Sequence, residues 1–269
     1  MAQTQKDQPA GKLTLEVLGG VGRITISNPG RYNAMSLAMW RQLAQLARQA
    51  EQDPAVRVLV LQGDGDRAFV SGADISEFDS LRSSTEQVRA YGIAVDHAQE
   101  ALSRCAKPVV AAIRGVCMGG GIGLALACDL RYCTDDSRFR MPAAKLGLGY
   151  DRAGIRRAVQ MLGAARTAEM FFTARDFNGT EAERIGMVHQ SFPGAVFADE
   201  IAALAGAIAA NAPLTIRAAK LAIRHAVGDP AAQDETAVDQ AVQDCFDSKD
   251  YQEGRLAFQS RRPPRFSGT

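Results

Sequence analysis

The groups best placed to do chemistry in this chain are backbone groups. Two stretches, Phe69-Val70-Ser71-Gly72-Ala73-Asp74-Ile75 and the run GVCMGGGIGL from Gly115 to Leu124, read as a strand, a glycine-containing turn and the start of a helix. Small residues there leave N–H groups uncovered where a helix begins. The first N–H groups of a helix have no intrahelical acceptor and lie at the positive end of its dipole. Two such donors aimed at one point would form an oxyanion hole. The second turn lacks the Gly-Lys-Ser/Thr ending of a phosphate loop, and Leu124 stands where a dinucleotide fingerprint needs its last glycine. No GxSxG nucleophile elbow occurs. The same glycines would also suit a helix packed tightly on a strand with no ligand at all, and the residues alone leave both readings open.

The elements that must hold these turns follow from periodicity. Residues 12–18 and 21–27 flank Gly19-Gly20 as a hairpin. From Ser36, a candidate N-cap, to Glu51 the apolar residues fall on one helical face. Residues 56–61 and 108–113 and the segment Leu130 to Cys133 read as short strands, and 84–104 as a long helix. Beyond Ala153 the pattern is almost wholly helical, over 154–162, 164–172, 195–210, 214–226, 231–248 and 250–259. This predicts an α/β chain whose second half is helical. The expected organisation is a disordered tail over 1–11, a core domain over 12–193 and a helical C-terminal region over 194–269.

The 269 residues suffice for one large domain, and a formal net charge of +1 provides no global field for nucleic acid or an anionic membrane. Five cysteines with no CxxC pair favour neither a disulfide framework nor a zinc site, which fits a reducing cytoplasmic setting. The longest uncharged stretch, Ile201 to Ile216, carries Asn211 and Pro213 and is short for a bilayer span. A soluble protein is expected, with no membrane and no nucleic-acid partner.

Several ordered motifs carry a resemblance. FVSGADI at 69–75 and GVCMGGGIGLALACDLR at 115–131 resemble the two oxyanion segments of the enoyl-CoA hydratase/isomerase (crotonase) family. Pro29 to Met35 resembles that family's P-x-x-x-N-A-L signature, and 171–186 and the Glu253-Gly254 segment resemble its downstream helices. The match runs from about residue 12 to 262. It implies a crotonase-like spiral of ββα repeats with a helical C-terminal trimerisation region, in a homotrimer or dimer of trimers. It implies an acyl-CoA substrate, with no cofactor or metal because coenzyme A is part of the substrate. By position, the N–H groups of Ala73 and Gly120 would hold the thioester oxygen. Ala34, Ser71 and Ile75 would line the coenzyme A path, and Phe258 and Arg261 would reach it from the C-terminal helix, often across a subunit boundary. Arg261 would otherwise be part of a solvated basic tail.

The chain departs from the family's hydratases where they carry two glutamates: those positions are Gly123 and Ala143. Neither residue can transfer a proton, so glutamate-pair hydration is not expected. Their small size suggests room for a bulky acyl group. What remains is Tyr150-Asp151-Arg152. Asp151 stands where family isomerases place a proton-transferring aspartate, and Tyr150 where a decarboxylase branch places a tyrosine. Isomerisation with Asp151 as the mobile base is preferred, followed by decarboxylation with Tyr150, atypical hydration, or an acyl-CoA-binding pseudoenzyme. Asp151 would otherwise cap the helix near Ala153, and Tyr150 would otherwise pack the pocket.

Overall fold

The computed structural model describes residues 11–81, 83–228 and 234–269. The expected N-terminal tail, apart from Gly11, therefore lies outside the described residues. In chain order the strands are β1 (Lys12–Leu18), β2 (Val21–Ser27), β3 (Val58–Gly63), β4 (Ala68–Val70), β5 (Val109–Ile113), β6 (Val116–Met118), β7 (Leu130–Thr134), β8 (Arg138–Arg140), β9 (Phe177–Asn178) and β10 (Gln190–Phe192). The helices are α1 (Leu37–Gln52), α2 (Phe78–Leu81), α3 (Thr85–Arg104), α4 (Gly120–Ala127), α5 (Ala143–Leu146), α6 (Arg152–Thr173), α7 (Gly179–Arg184), α8 (Phe197–Ala210), α9 (Pro213–Val227), α10 (Glu235–Asp247) and α11 (Lys249–Gln259).

The strands form two sheets, ordered β1-β2-β3-β5-β7-β10 and β4-β6-β8-β9. The β1–β2 hairpin is antiparallel, and β2, β3, β5, β7 and β10 run parallel. Each of β3–β4, β5–β6 and β7–β8 places one strand in the large sheet and the next in the small one before a helix follows. That is the spiral of ββα units. Residues 58–61 and 109–113 are buried throughout, as expected for parallel strands covered on both faces. One face, with Leu59, Leu61, Val109, Ala111 and Ile113, packs against α1, α3 and α4. The other, with Val58, Val60, Val110 and Ala112, is covered by Phe197, Ile201, Ala205 and Ala209 of α8. The seam at 193 thus separates strand from helix along the sequence, while α8 completes the core of the large sheet.

The two predicted helices, 154–162 and 164–172, are both present within the span α6, which is broken at Gly163, whose φ of 74° and ψ of 162° are not helical. The helix expected over 231–248 is observed over Glu235–Asp247, its first residues lying outside the described ones. Helix α9 is tied to the sheet by one buried cation. Lys220 Nζ lies 2.6 Å from Asp129 Oδ2 and 2.9 Å from the Lys107 carbonyl, and Asp129 Oδ2 also accepts from Val109 N–H at 2.7 Å. Lys220 is buried, whereas the Asp129 side chain is about one-third exposed. Removing one partner of a buried pair costs about 3–5 kcal/mol, and the exposure of Asp129 places this case at the lower end. Lys220→Met is expected to lower unfolding free energy by about 3 kcal/mol in urea titration; a loss below about 0.5 kcal/mol would show that the pair does not anchor α9.

Candidate active site

The two glycine turns meet. The first leaves β4 at Val70, and Gly72 adopts φ 119°, a conformation open to glycine. The second leaves β6 and enters α4 through Gly119, with φ 50° and ψ −112°. A Cβ on Gly72 would stand 3.9 Å from Gly120 N, and one on Gly120 would stand 3.8 Å from Gly72 Cα. Around Ala73 the neighbouring backbone groups are paired: Met35 N–H donates to Gly72 C=O at 2.8 Å, and Asp74 N–H donates to Met35 C=O at 2.9 Å. Among the described residues the Ala73 N–H itself has no acceptor, and the Gly120 N–H opens a helix and so has no intrahelical one. Two unengaged donors therefore border one small space.

Their support is buried and polar. The Trp40 ring lies beneath Gly120, 3.1 Å from where its Cβ would be. Trp40 Nε1–H donates to Tyr91 Oη at 3.2 Å, and the Tyr91 hydroxyl donates to Met35 C=O at 3.1 Å. On the other side Arg31 pairs with Asp74 at 2.6 Å. Burial opposes ionisation of Asp74, but hydrogen bonds from the Ser76 hydroxyl and amide, with Arg31, hold its carboxyl below the usual range.

Ala34 is buried in the loop that receives the first turn, Ser71 N–H donates to Tyr32 C=O at 3.1 Å, and Ile75 is exposed just beyond. These three residues surround the first turn. Phe258 and Arg261 are exposed at the end of α11, and no hydrogen bond, ion pair or ring contact joins them to either turn. Phe258 instead borders an apolar groove of about 620 Å³ between α9, α10 and α11. A second cavity, of about 380 Å³, lies beside Arg23, Asp64, Arg114 and Phe197. Neither cavity is lined by Ala73 or Gly120.

The space at Gly123 is not open. A Cβ there would meet Gln99 Nε2 at 2.6 Å and Tyr150 Oη at 3.0 Å. The expected extra room is thus filled by a side chain from α3 and another from the α5–α6 loop. Gln99 Oε1 accepts from Arg157 of α6 at 2.7 Å. Tyr150 packs edge-on against Phe171, with ring centroids 5.0 Å apart. Burial, and then the Asp151 charge, push the Tyr150 phenol above its ordinary value. Asp151 is exposed and N-caps α6, its Oδ1 accepting from Gly154 N–H at 2.6 Å. The carboxyl that burial raises at this rim is Asp96 of α3, with the Asp151 charge adding to the effect.

Sequence reasoning missed Gln99, Arg157 and Asp96. The available signal was a glutamine on the buried stripe of α3, alongside Ala98 and Leu102. Of the remaining side chains considered, His97 is exposed, Lys145 is exposed, and Cys117 is wholly buried with its thiol pushed well up by burial.

The enoyl-CoA hydratase/isomerase family model matches residues 16–269. The chain belongs to that family. It is 30% identical over 251 residues to the short-chain-enoyl-CoA hydratase of Clostridium acetobutylicum, covering 92% of this chain and 94% of that one. It is 32% identical over 223 residues to the peroxisomal Δ3,5-Δ2,4-dienoyl-CoA isomerase of Arabidopsis thaliana, covering 77% and 80%. The solved structure of an enoyl-CoA hydratase/carnithine racemase from Magnetospirillum magneticum superposes with a TM-score of 0.91 at 34% identity, covering 96% of each chain. The protein is thus a crotonase-fold enzyme of acyl-CoA metabolism.

The Asp96 environment makes stability depend on pH. A carboxyl whose pKa is raised by folding penalises the folded state once pH rises above the folded value; below the ordinary value of 3.8 both states are protonated and the penalty vanishes. Asp96→Asn is therefore expected to raise the melting temperature at pH 7 and to leave it unchanged near pH 3. A gain of equal size at both pH values would exclude desolvation of Asp96 as its cause.

Proposed function

We propose that this enzyme isomerises a double bond in an enoyl-CoA thioester, with Asp151 as the mobile base. The Ala73 and Gly120 N–H groups receive the thioester oxygen. Asp151 removes a proton from the α-carbon, the electron pair moves into the carbonyl, and the charge on oxygen is held by the two donors. Return of the proton to the γ-carbon moves a 3,4-double bond to the 2,3-position, with no net change in composition. The observation that carries this reading is the rim at Gly123 and Ala143. Uncharged groups occupy both glutamate positions, while Asp151 stands beside Tyr150, and Tyr150 Oη reaches the first turn of α4. The likeness to dienoyl-CoA isomerases supports it.

A second reading, decarboxylation of a malonyl-type thioester, draws on Tyr150. Its phenol stays protonated and can bind a leaving carboxylate without taking a proton, and the resulting enolate needs the same two donors. The exposed Phe258 and Arg261 also fit a homotrimer or dimer of trimers, in which they would serve a neighbouring subunit's coenzyme A path.

Asp151→Asn separates catalysis from capping, because asparagine caps a helix about as well as aspartate. The variant is expected to melt within a few degrees of the parent and to lose about 10²–10⁴ in turnover of a 3-enoyl-CoA or 3,5-dienoyl-CoA, the usual contribution of a positioned acid/base. Undiminished turnover would remove Asp151 from the mechanism. Release of carbon dioxide from a malonyl-type thioester, kept by this variant and lost in Tyr150→Phe, would favour the second reading. Tight binding of every ester with turnover of none would assign the protein to acyl-CoA binding alone.

A further inference from the structure

The cavity of about 380 Å³ beside Arg23 and Arg114 lies apart from the two oxyanion turns. Asp64 and Arg114 directly follow β3 and β5, which are parallel neighbours. The cavity therefore opens just beyond the carboxyl ends of two parallel strands, where α/β sheets commonly take ligands. Its floor is apolar, built from Phe197 and Ile201 of α8, both buried. Arg23 alternates along β2 with Ile24, which packs on the α1 side, and so points to the α8 side. The Trp40 ring that supports Gly120 belongs to the opposite face of the large sheet.

Both arginines are half-buried, and among the described residues neither makes an ion pair. Arg23 Nη1 donates to Gln62 Oε1 at 2.6 Å, and Gln62 Nε2 donates in turn to Thr25 Oγ1 at 3.2 Å. The Arg114 guanidinium lies over the Phe197 ring, 5.0 Å from its centroid. Each cation is thus held in place by a neutral group. A guanidinium carries five N–H donors, so one such contact leaves most of them unengaged. The carboxylates nearby do not neutralise the pair. Asp64, exposed at the mouth, accepts from Ser27 Oγ at 2.6 Å. Glu16, the register partner of Arg23 on β1, is exposed, and so are Asp199 and Glu200 in the first turn of α8, all three outside the lining. Two cations face one carboxylate, and charges drawn out of water are normally paired.

We propose that this cavity is a second ligand site, which binds a small organic oxyanion: a carboxylate or a phosphate monoester on a short apolar body. Arg23 and Arg114 supply the counter-charge, and their planar forks suit either head group. Phe197 and Ile201 receive the apolar body. A cavity of this size stands near the lower end of the usual range for ligand pockets, about 300–1,000 Å³, which fits a small molecule and not coenzyme A. The site is independent of the acyl-CoA reading.

The test is calorimetric titration of the full chain with benzoate and phenyl phosphate, and with benzamide as the neutral analogue. The parent is expected to bind at least one of the anions about tenfold more tightly than benzamide, and the tighter anion identifies the head group. Arg23→Met and Arg114→Met are each expected to weaken that anion by about ten- to a hundredfold, the loss of a charged hydrogen-bonding partner. Asp64→Asn removes the one lining carboxylate and is expected to tighten binding severalfold, a gain that damage to the fold would not produce. Binding of neither anion better than benzamide, or an unchanged affinity in both arginine variants, overturns the site. Loss of anion binding in the presence of saturating butyryl-CoA overturns it as well, since the arginines would then belong to the coenzyme A path.

Discussion

The site depends on one close approach of backbone to backbone. A Cβ on Gly121 would lie 2.2 Å from the Val70 carbonyl oxygen, a distance no side chain can occupy. Only glycine lets the first turn of α4 rest on the end of β4, and that contact brings the donors of Ala73 and Gly120 to the same space. The adjacent glycines answer to different neighbours. Gly119 takes a backbone conformation that L-residues avoid, Gly120 clears the Trp40 ring, and Gly123 clears Gln99 and Tyr150. A run that looks like low complexity is four separate steric requirements.

Preorganisation of the donors follows from where the other polar groups are spent. Buried backbone groups are nearly always paired. Here the Met35 strand fragment takes up the Gly72 carbonyl and the Asp74 amide, and Tyr91 caps the Met35 carbonyl. The Gly72 carbonyl and the Asp74 amide on either side of Ala73 are thus taken up by Met35, and among the described residues the Ala73 N–H is left without an acceptor. Under the proposed reaction such preorganised donors would meet the charge that develops on the thioester oxygen, which is how groups of this kind accelerate enolisation.

The sequence makes legible what is continuous and local. Strands β3 and β5 announce themselves as apolar runs, and Ser36 and the periodic leucines place α1 within a residue of its observed start. Strands β8, β9 and β10 are two or three residues long, and their pairing partners are distant in sequence, so no local pattern marks them, whereas β4 and β6 are signalled only by the glycine turns that follow them. The break at Gly163 was legible as well, because a glycine between two periodic runs separates 154–162 from 164–172. The motifs placed the backbone donors, because glycine spacing is a sequence property. They could not place Gln99, because its role depends on α3 crossing α4 and on Arg157 of α6 reaching the amide, and both are tertiary facts. Asp151 was legible as a cap and as a carboxylate at once, because the two roles use the same atoms.

Replacing a glutamate by glycine at position 123 changes the electrostatics as well as the chemistry. A carboxylate one helical turn from the oxyanion donor would stand about 5 Å from the enolate oxygen, and at an effective dielectric of about 20 would oppose that charge by about 3 kcal/mol. An enzyme that must activate water accepts this opposition, because the carboxylate carries the proton transfer. An enzyme that only shifts a double bond or receives an enolate from decarboxylation gains by its removal. In this chain the space is filled by an amide N–H and a phenol that burial keeps neutral, groups that carry no negative charge. Under the proposed isomerisation the proton-carrying role falls to Asp151, which stands at the exposed start of α6.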